Sequence, residues 1–338
     1  MYYYTENDKK YFYFYDEEFS KINWFIEPKD SLQTLYRKRA EQIRQDYEYV
    51  ILAYSGGHDS TQVLETFYYN NIHINEILMV GAFSQDSYTG SDENHNAEII
   101  LNAYPTLKKM NLNNTKITIE DYTKLFNNIE NFSLIQKYGS NWIDNINCWY
   151  SVHHFYWHDV FKFIGKDNNK NTAVVFGCDK PIFNYDTNNK TCYTFFSDAG
   201  LFDNGNYQKY KNSERVNFYT ALESVDIIKK QLHIIMNFFI KNCIVNKELS
   251  IQTFFNNYNT ITNKLIYDLK NPLIFESKKS KINILSVRDM YLLKNKNTEI
   301  FKIYNDGIQK LSKKLIQDNN QNHRISKKYL LSKPLELI

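Results

Sequence analysis

The stretch YVILAYSGGHDSTQVLETFYY (49–69) joins a run of β-forming residues to two glycines, an acid and several hydroxyls. Gly56 and Gly57 allow a tight turn and a close approach of backbone N–H groups to a ligand. The helix predicted to follow directs its free N–H groups and its positive dipole end at the same point. Three hydroxyls add further donors: Ser55, Ser60 and Thr61. The stretch therefore predicts a cup for phosphate oxygens, although it lacks the GxxxxGK[ST] pattern and has no lysine inside the turn.

This stretch resembles the SGGxDS signature of the PP-loop ATP pyrophosphatase superfamily, whose members are adenine nucleotide alpha-hydrolase-like proteins. The matching residues are Ser55, Gly56, Gly57, Asp59 and Ser60, with His58 at the free position and Thr61 following. Two further segments, GCDKP (177–181) and VNFYTALESVDIIKKQLHIIMNFF (216–239), are similar to phage-encoded asparagine synthase-like and phosphoadenylyl-sulfate reductase-like proteins of that superfamily.

The resemblance implies an ATP site that cleaves between the α and β phosphates. Residues 55–61 would bind the pyrophosphate leaving group, and AMP would pass to an acceptor oxygen. Preorganised N–H groups and Mg²⁺ stabilise the charge that develops on the departing phosphates. Since Mg²⁺ prefers oxygen ligands, Asp59 at the turn is the first candidate metal ligand.

A second acid is expected from another strand end, because α/β folds bind ligands at the carboxyl ends of strands. Asp179 follows the predicted strand TAVVF (172–176), and Gly177 permits a close approach of the backbone. Lys180 is placed to neutralise phosphate charge or a developing oxyanion. Asp59, Asp179 and Lys180 are therefore the predicted catalytic residues, and the two aspartates are the predicted magnesium ligands.

The segment SVHHFYWHD (151–159) contains a group of histidines. On a helix His154 and His158 share one face, with His153 and Asp159 beside them. Three interpretations stay open for this cluster: a metal site, a histidine in a substrate pocket, and the core of an aromatic helix.

Composition narrows the class of protein. The four cysteines form no CxxC pair, which excludes a zinc site of ordinary spacing and is typical of a reducing cytosol. The N-terminus lacks the apolar region of a signal peptide, and no stretch is long and apolar enough for a membrane span. A cytoplasmic location, that of the host if the protein is viral, and no membrane partner are expected. The net charge of +3 favours no particular partner.

Strands alternate with helical segments in the first two thirds of the chain. Strands are predicted at 49–54, 76–83, 116–120 and 172–176, and helices at 31–47, 60–70, 92–110 (bent near Pro105), after 121 and at 142–164. This alternation, with strands that are apolar almost throughout, predicts an α/β fold with a mostly parallel, doubly wound sheet. The resemblance implies that this sheet is of the HUP-like, PP-loop type.

The strand pattern fades after about residue 215, and helices are predicted at 219–245, 250–270 and 298–317. We therefore divide the chain into an N-terminal segment (1–48), an ATP-binding α/β domain (49–210) and a helical C-terminal region (211–338). Residues 261–338 carry 16 Lys or Arg against 7 Asp or Glu. This basic region faces either solvent or a polyanion such as tRNA or DNA.

These observations predict a Mg-ATP-dependent, AMP-forming enzyme that adenylates a carbonyl or carboxylate acceptor for attack by a nitrogen nucleophile. The acceptor is a small molecule or a base in nucleic acid. Residue 2 is Tyr, not the nucleophilic cysteine of a fused glutaminase, so ammonia or an amine is expected directly or from a partner protein. Two alternatives stay open: a phosphoadenylyl-sulfate reductase-like enzyme and a nucleotide-binding protein without catalysis.

Overall fold

The computed structural model describes residues 3–6, 9–12, 16–81, 98–121, 139–141, 170–177, 180–196, 212–274, 298–303, 305–306, 309 and 327–335. Its strands are β1 (Tyr3–Glu6), β2 (Lys9–Phe12), β3 (Tyr49–Ala53), β4 (Glu76–Gly81), β5 (Lys116–Asp121), β6 (Thr172–Phe176), β7 (Ile182–Asp186), β8 (Thr191–Phe195), β9 (Ser213–Asn217) and β10 (Tyr329–Leu330). Its α-helices are α1 (Asp16–Phe19), α2 (Leu32–Asp46), α3 (His58–Tyr69), α4 (Tyr104–Lys109), α5 (Val225–Phe239), α6 (Ile251–Asn256) and α7 (Tyr258–Ile266). A further helical stretch covers 298–303.

The central sheet contains five strands in the order β5-β4-β3-β6-β9, and every pairing is parallel. Its central strands β3 (YVILA) and β6 (TAVVF) are rich in β-branched residues and buried almost throughout. Continuous apolar strands of this kind belong to parallel sheets that are covered on both faces. With its flanking helices the sheet forms an α/β, doubly wound fold, as the sequence predicted.

Helix α2 shows how a local signal sets a helix boundary. Ser31 is its N-cap and accepts a hydrogen bond from the Thr34 amide at 3.2 Å. The apolar positions Leu32, Leu35 and Ile43 recur at helical spacing and are buried against the sheet. A predicted helix at 31–47 is therefore confirmed with almost the same bounds.

Near Pro105, where a bend or break was predicted, the structure shows a change of helix type. A π-helical turn occupies Ile99–Ala103, and α4 begins directly after it with Pro105 near its start. Proline has no N–H and is tolerated in the first turn of a helix, so the regular helix starts again at this point.

A second sheet was not predicted. Its order is β10-β8-β7, and both pairings are antiparallel. The turn of the β7–β8 hairpin is held by Asp186, whose carboxylate accepts from the amides of Asn188 and Asn189. An aromatic cluster packs this sheet against the C-terminal helices and consists of Phe183, Phe239, Phe254, Phe255 and Tyr258.

The C-terminal part is helical, as predicted, but more finely divided. The helix predicted at 219–245 is a short 3₁₀ turn (Leu222–Ser224), then α5, then a π-helical turn (Ile240–Val245). The strand β9 pairs with β6, so the parallel sheet extends past the boundary that we drew at residue 210. Short β10, near the end of the chain, returns to pair with β8.

No helix within the described ranges combines the length and the apolar content needed to cross a bilayer.

Candidate functional site

The order of the parallel strands marks one position on the sheet. Along the chain the first parallel strand is β3, and the next two are added on one side of it while β6 and β9 lie on the other. The strand order therefore reverses between β3 and β6, and in open α/β sheets ligands bind at the carboxyl ends of the strands at this point. The glycine loop (residues 55–61) follows β3, and the β6 loop (residues 177–181) follows β6.

The glycine loop turns in a conformation that requires glycine. Gly56 has φ of +80°, in the left-handed region that L side chains rarely adopt. A Cβ at this position would lie 2.6 Å from the carbonyl oxygen of Glu98 and 2.9 Å from the amide nitrogen of Ala103. The π-helical turn that starts at Ile99 thus packs directly against the loop, and Gly56 satisfies both demands at once.

Helix α3 begins inside the loop with its N-terminus uncapped by any side chain. Gly57 is the N-cap, and having no side chain it leaves the first-turn amides without the acceptor that Ser or Asp would supply. The helix is 12 residues long, so its aligned peptide dipoles favour negative charge at this end. This arrangement fits the phosphate cup that the sequence predicts.

The serines of the loop bond to the loop itself. The Ser55 and Ser60 hydroxyls lie 3.1 Å apart, the Gly57 amide donates to Ser55 Oγ at 3.3 Å, and Ser60 Oγ donates to the Gly57 carbonyl at 3.3 Å. Ser60 is buried, whereas Ser55 is exposed. The two hydroxyls therefore hold the shape of the turn, and Ser55 is the one that also faces solvent.

Thr61 differs from the sequence prediction. We expected its hydroxyl among the ligand donors, but its side chain is fully buried and its Oγ1 lies 3.4 Å from the hydroxyl of Tyr54. In this structure it braces the start of α3 against the end of β3.

The glycine loop and the β6 loop lie in contact. A Cβ on Gly177 would lie 2.8 Å from the carbonyl oxygen of Asp59 and 3.1 Å from the Cα of Ser60. Gly177 therefore permits the close approach that its position after β6 suggested.

Asp59, in the first turn of α3, is held by two tyrosines from distant parts of the chain. The Tyr219 hydroxyl, just after β9, donates to its carbonyl oxygen at 2.8 Å. The Tyr267 hydroxyl, just after α7, donates to its carboxylate Oδ1. Burial, and next the charge of Asp59, raise the pKa of Tyr267 well above its ordinary value, so this phenol remains a donor throughout the physiological range.

Lys180 approaches the same place from the β6 loop. Its ammonium donates to Oδ1 of Asn263 on α7 and lies 5.1 Å from the centre of the Tyr267 ring. The His58 ring stacks beside the Tyr267 ring, with the two ring centroids 6.2 Å apart and their planes 25° from parallel. The structure thus brings His58, Asp59 and Lys180 together around Tyr267.

The segment after α7, which we call the strap (residues 267–274), lies along α3. The Asp268 amide donates to Gln62 Oε1 at 2.9 Å, and the amides of Lys270 and Asn271 donate to the carboxylate of Glu65 at 2.7 and 2.8 Å. Glu65 itself is 2% exposed, and its two part-buried hydrogen bonds are charge-assisted. The helix that carries Asp59 therefore also fixes the strap that carries Tyr267.

Several predicted residues lie outside the described residues. These are Asp179 and the histidine cluster His153, His154 and His158. Whether Asp179 approaches Asp59 stays a prediction. Two cysteines, Cys148 and Cys178, also lie outside that part of the chain.

Within the described part of the chain, no group of three or more His, Cys, Asp or Glu side chains is placed to hold a metal ion. A magnesium ion that arrives with a nucleotide does not need such a group, since it binds through one or two carboxylates together with phosphates and waters. Asp59 fits this requirement, because among the described residues no donor reaches its second carboxylate oxygen, Oδ2.

Sequence reasoning missed three residues that contact the site: Tyr219, Asn263 and Tyr267. Tyr219 is one of 28 tyrosines, and the other two belong to an ordinary helical pattern with no motif around them. Only the fold brings them to Asp59 and Lys180, so no local signal in the sequence identifies them.

Comparisons of the chain with protein-family models, with curated proteins and with solved structures found no match.

Proposed function

We propose that the protein is a Mg-ATP-dependent enzyme that cleaves ATP between the α and β phosphates and transfers AMP to an acceptor. One observation carries the proposal: an SGGxDS loop with a left-handed Gly56 starts a 12-residue helix at the carboxyl end of β3, where the strand order reverses. Backbone N–H groups, a helix dipole and an acidic side chain converge there, which suits a polyphosphate with a bound cation.

In this proposal the acceptor's carbonyl or carboxylate oxygen attacks the α-phosphorus. The bond from that phosphorus to the bridging oxygen breaks, and pyrophosphate leaves with the electron pair. A nitrogen nucleophile then attacks the acceptor carbon, forms the new C–N bond and displaces AMP. The products are AMP, pyrophosphate and an amidated or aminated acceptor.

Residues of the chain have separate roles in these steps. The first-turn amides of α3 and the exposed Ser55 hydroxyl bind the departing phosphates, where negative charge develops. Lys180, whose ammonium is held by Asn263 beside the Tyr267 ring, would supply a positive charge to the departing phosphates. Asp59 would hold magnesium, which when bound neutralises charge on the leaving group. Asp179 is proposed as the second acid.

A reductase mechanism finds no support among the described cysteines. Such chemistry needs a reactive thiolate. Cys192 is fully buried, and burial raises the pKa of its thiol to about 11, while burial also raises the pKa of Cys243. Both thiols therefore stay protonated and shielded at neutral pH. If the proposal is correct, a variant in which all four cysteines are serine keeps its AMP-forming activity.

The experiment is an incubation of the full chain with Mg²⁺, a cell extract and ATP labelled at the α-phosphate. Labelled AMP together with pyrophosphate supports the proposal, provided that Asp59→Ala forms neither. Labelled ADP would contradict it. Tight ATP binding with no cleavage in any extract would indicate a nucleotide-binding protein without catalysis.

A second experiment identifies the acceptor. An untargeted search for adenylated or amidated products, in cells that express the protein or Asp59→Ala, would identify it. A nucleic-acid acceptor such as tRNA predicts binding whose affinity falls steeply with salt, since lysines displace counterions from phosphates.

A further inference from the structure

Asp59 is anchored at one carboxylate oxygen and open at the other. Tyr267 donates to Oδ1, whereas within the described residues Oδ2 receives no hydrogen bond. A carboxylate in this state has its side-chain rotamer fixed and still has an oxygen free for a cation. Outer hydrogen-bond partners of this kind orient the ligands of metal ions in proteins.

We propose that Tyr267 is a positioning residue, whose hydroxyl fixes the Asp59 carboxylate in the rotamer that directs Oδ2 at the magnesium ion of a bound nucleotide. The inference rests on the proposed function, because it takes Asp59 as the magnesium ligand. It extends that function by assigning a role to the C-terminal helical part, which would complete a site built on the parallel sheet.

The ring of Tyr267 is itself fixed from several sides. His58 stacks beside it, Tyr219 lies with its ring centroid 6.1 Å away, and the Lys180 ammonium lies 5.1 Å from its centre. Only 7% of the residue is exposed. A phenol held in this way loses little conformational entropy when it donates, so its hydrogen bond positions the acceptor strongly.

The backbone on both sides of Tyr267 is held as well. Before it, the Ile266 carbonyl accepts from the Tyr36 hydroxyl at 2.9 Å. After it, the strap is bonded to Gln62 and Glu65 on α3. Since α3 also carries Asp59, the donor and its acceptor share one rigid support, and the spacing between them survives small movements elsewhere.

A purely structural role for Tyr267 makes a different prediction. Loss of a packing contact would weaken ATP binding equally with and without Mg²⁺, or would lower only the stability of the fold. Loss of a positioning hydrogen bond would weaken what depends on the metal ion and leave the rest. Tyr258, the first residue of the helix that Tyr267 follows, offers a matched control: its hydroxyl accepts from the Phe183 amide on β7 at 3.0 Å, away from Asp59.

The test compares the wild-type chain with Tyr267→Phe and Tyr258→Phe. Calorimetry gives the dissociation constant of ATP, once with excess Mg²⁺ and once with EDTA. We expect Tyr267→Phe to weaken binding of Mg-ATP by roughly 10- to 100-fold, the range that loss of an outer-shell partner causes, and to leave metal-free ATP binding unchanged. Tyr258→Phe should change neither constant. Phe keeps the ring, and thermal unfolding of each variant verifies the fold.

Three results would overturn the inference. An equal loss of affinity with and without metal would assign Tyr267 to packing. No loss in either condition would show that the hydrogen bond positions nothing. If Asp59→Asn also leaves the Mg²⁺ dependence unchanged, Asp59 is not the metal ligand, although ATP binding would still support the phosphate cup. A wild-type chain that binds no ATP in either condition is a separate outcome, in which the proposed function fails and the inference fails with it.

Discussion

The glycine loop and the strap meet at Asp59 by opposite routes. The loop is continuous in sequence, and its properties come from residue types: a left-handed glycine, a glycine N-cap and small hydroxyls. The strap lies about 200 residues further along the chain, and it reaches the site through hydrogen bonds to the helix that the loop starts. The comparison teaches that the backbone of a tight turn can be encoded locally, while the orientation of the Asp59 side chain depends on the whole fold.

The two segments are also held by different kinds of contact. The glycine loop depends on the absence of side chains at two positions. A Cβ at its own Gly56, or at Gly177 of the neighbouring β6 loop, would enter neighbouring backbone. The strap depends on the presence of side-chain acceptors, above all Glu65, which receives the amides of Lys270 and Asn271 and the Asn271 side chain. Substitutions should therefore disturb the two segments separately, which makes the comparison testable.

The largest effect is expected at Asp59, where the segments meet. Asp59→Ala removes the proposed metal ligand and the acceptor of the Tyr267 hydroxyl together. We expect AMP formation to fall by at least about 100-fold, the upper end of what loss of an outer-shell partner costs a metal site. The measurement is release of labelled AMP at saturating Mg-ATP.

A matched control is Asp226→Ala. Asp226 is an exposed acid in the first turn of α5, so its removal deletes the same kind of helix N-terminal charge away from the loop. AMP formation should not change. Equal losses in both variants would mean that charge at helix starts, not the position of Asp59, controls the activity.

The next largest effects are expected from glycine substitutions in and beside the glycine loop. They separate the backbone strain of a positive φ from the steric clash of an added Cβ. Gly56→Ala combines a left-handed φ, which costs about 1–2 kcal/mol, with a backbone clash that costs about 1–3 kcal/mol. Gly177→Ala introduces only a clash, with the Asp59 backbone, and no strain from a positive φ. We expect Gly56→Ala to lower the free energy of unfolding more than Gly177→Ala, measured by urea denaturation.

Gly139→Ala isolates the backbone strain of a positive φ from any clash. Gly139 has φ of +54°, and an added Cβ meets no atom of the described residues within 4 Å. Its substitution should cost only the strain, about 1–2 kcal/mol, and should leave ATP binding intact. If Gly56→Ala were no worse than Gly139→Ala, the close packing of the loop against residues 98–103 would be refuted.

The glycine loop could be predicted almost completely, because its chemistry resides in Gly, Ser and Asp at fixed spacing beside a strongly apolar strand. The parallel strands β3, β4, β5 and β6 were predicted for the same reason, since five or six apolar or alternating residues between turns leave few other choices. The change from the π-helical turn to α4 lies where Pro105 predicted an irregularity in the helix, because proline lacks the N–H that a helix interior needs.

The rest escaped because its signal is not local. The sequence SERVN of β9 has only one buried apolar residue, Val216, and becomes a strand by pairing with β6 at the sheet edge. Strand β10 pairs with β8, about 135 residues earlier in the chain, although the β7–β8 hairpin that it joins is itself a local pairing that the sequence analysis missed. Tyr267 and Asn263 read as helix and nothing more, and their contacts with Asp59 and Lys180 arise from tertiary packing.

A smaller effect is expected from the anchor of the strap. Glu65→Ala removes the acceptor of two part-buried amides and one of the two acceptors of the Asn271 side chain, and we expect a loss of about 3 kcal/mol in unfolding free energy. Glu65→Gln keeps one acceptor oxygen and should lose less. Hydrogen exchange of the Lys270 and Asn271 amides gives a local readout, and it should quicken far more than exchange in β3. Unchanged exchange at these two amides would show that the strap is held by something other than Glu65.

The smallest effect concerns pH and distinguishes Tyr258, at the start of α7, from Tyr267, which follows that helix. Burial raises the pKa of Tyr258 to about 12, above the ordinary value near 10. The folded state favours the protonated phenol. The stability that this phenol contributes is therefore fully present below pH 10, and it is lost as pH rises from 10 toward 12, by about 1.4 kcal/mol of unfolding free energy per pH unit. Tyr258→Phe has no phenol to ionise, so this part of the alkaline loss disappears.

The same substitution has an opposite effect at neutral pH. Without the Tyr258 oxygen the Phe183 amide loses its acceptor, which costs about 1 kcal/mol. Wild type should therefore be more stable than Tyr258→Phe at pH 7, and the difference should narrow as pH passes 10, in urea denaturation at each pH. A difference that stays constant up to pH 11 would contradict the buried phenol at the start of α7. Because Tyr258 anchors α7 to β7 and not to Asp59, ATP affinity at pH 7 should be the same in both proteins, which separates the part of the helix that supports the fold from the end that reaches the glycine loop.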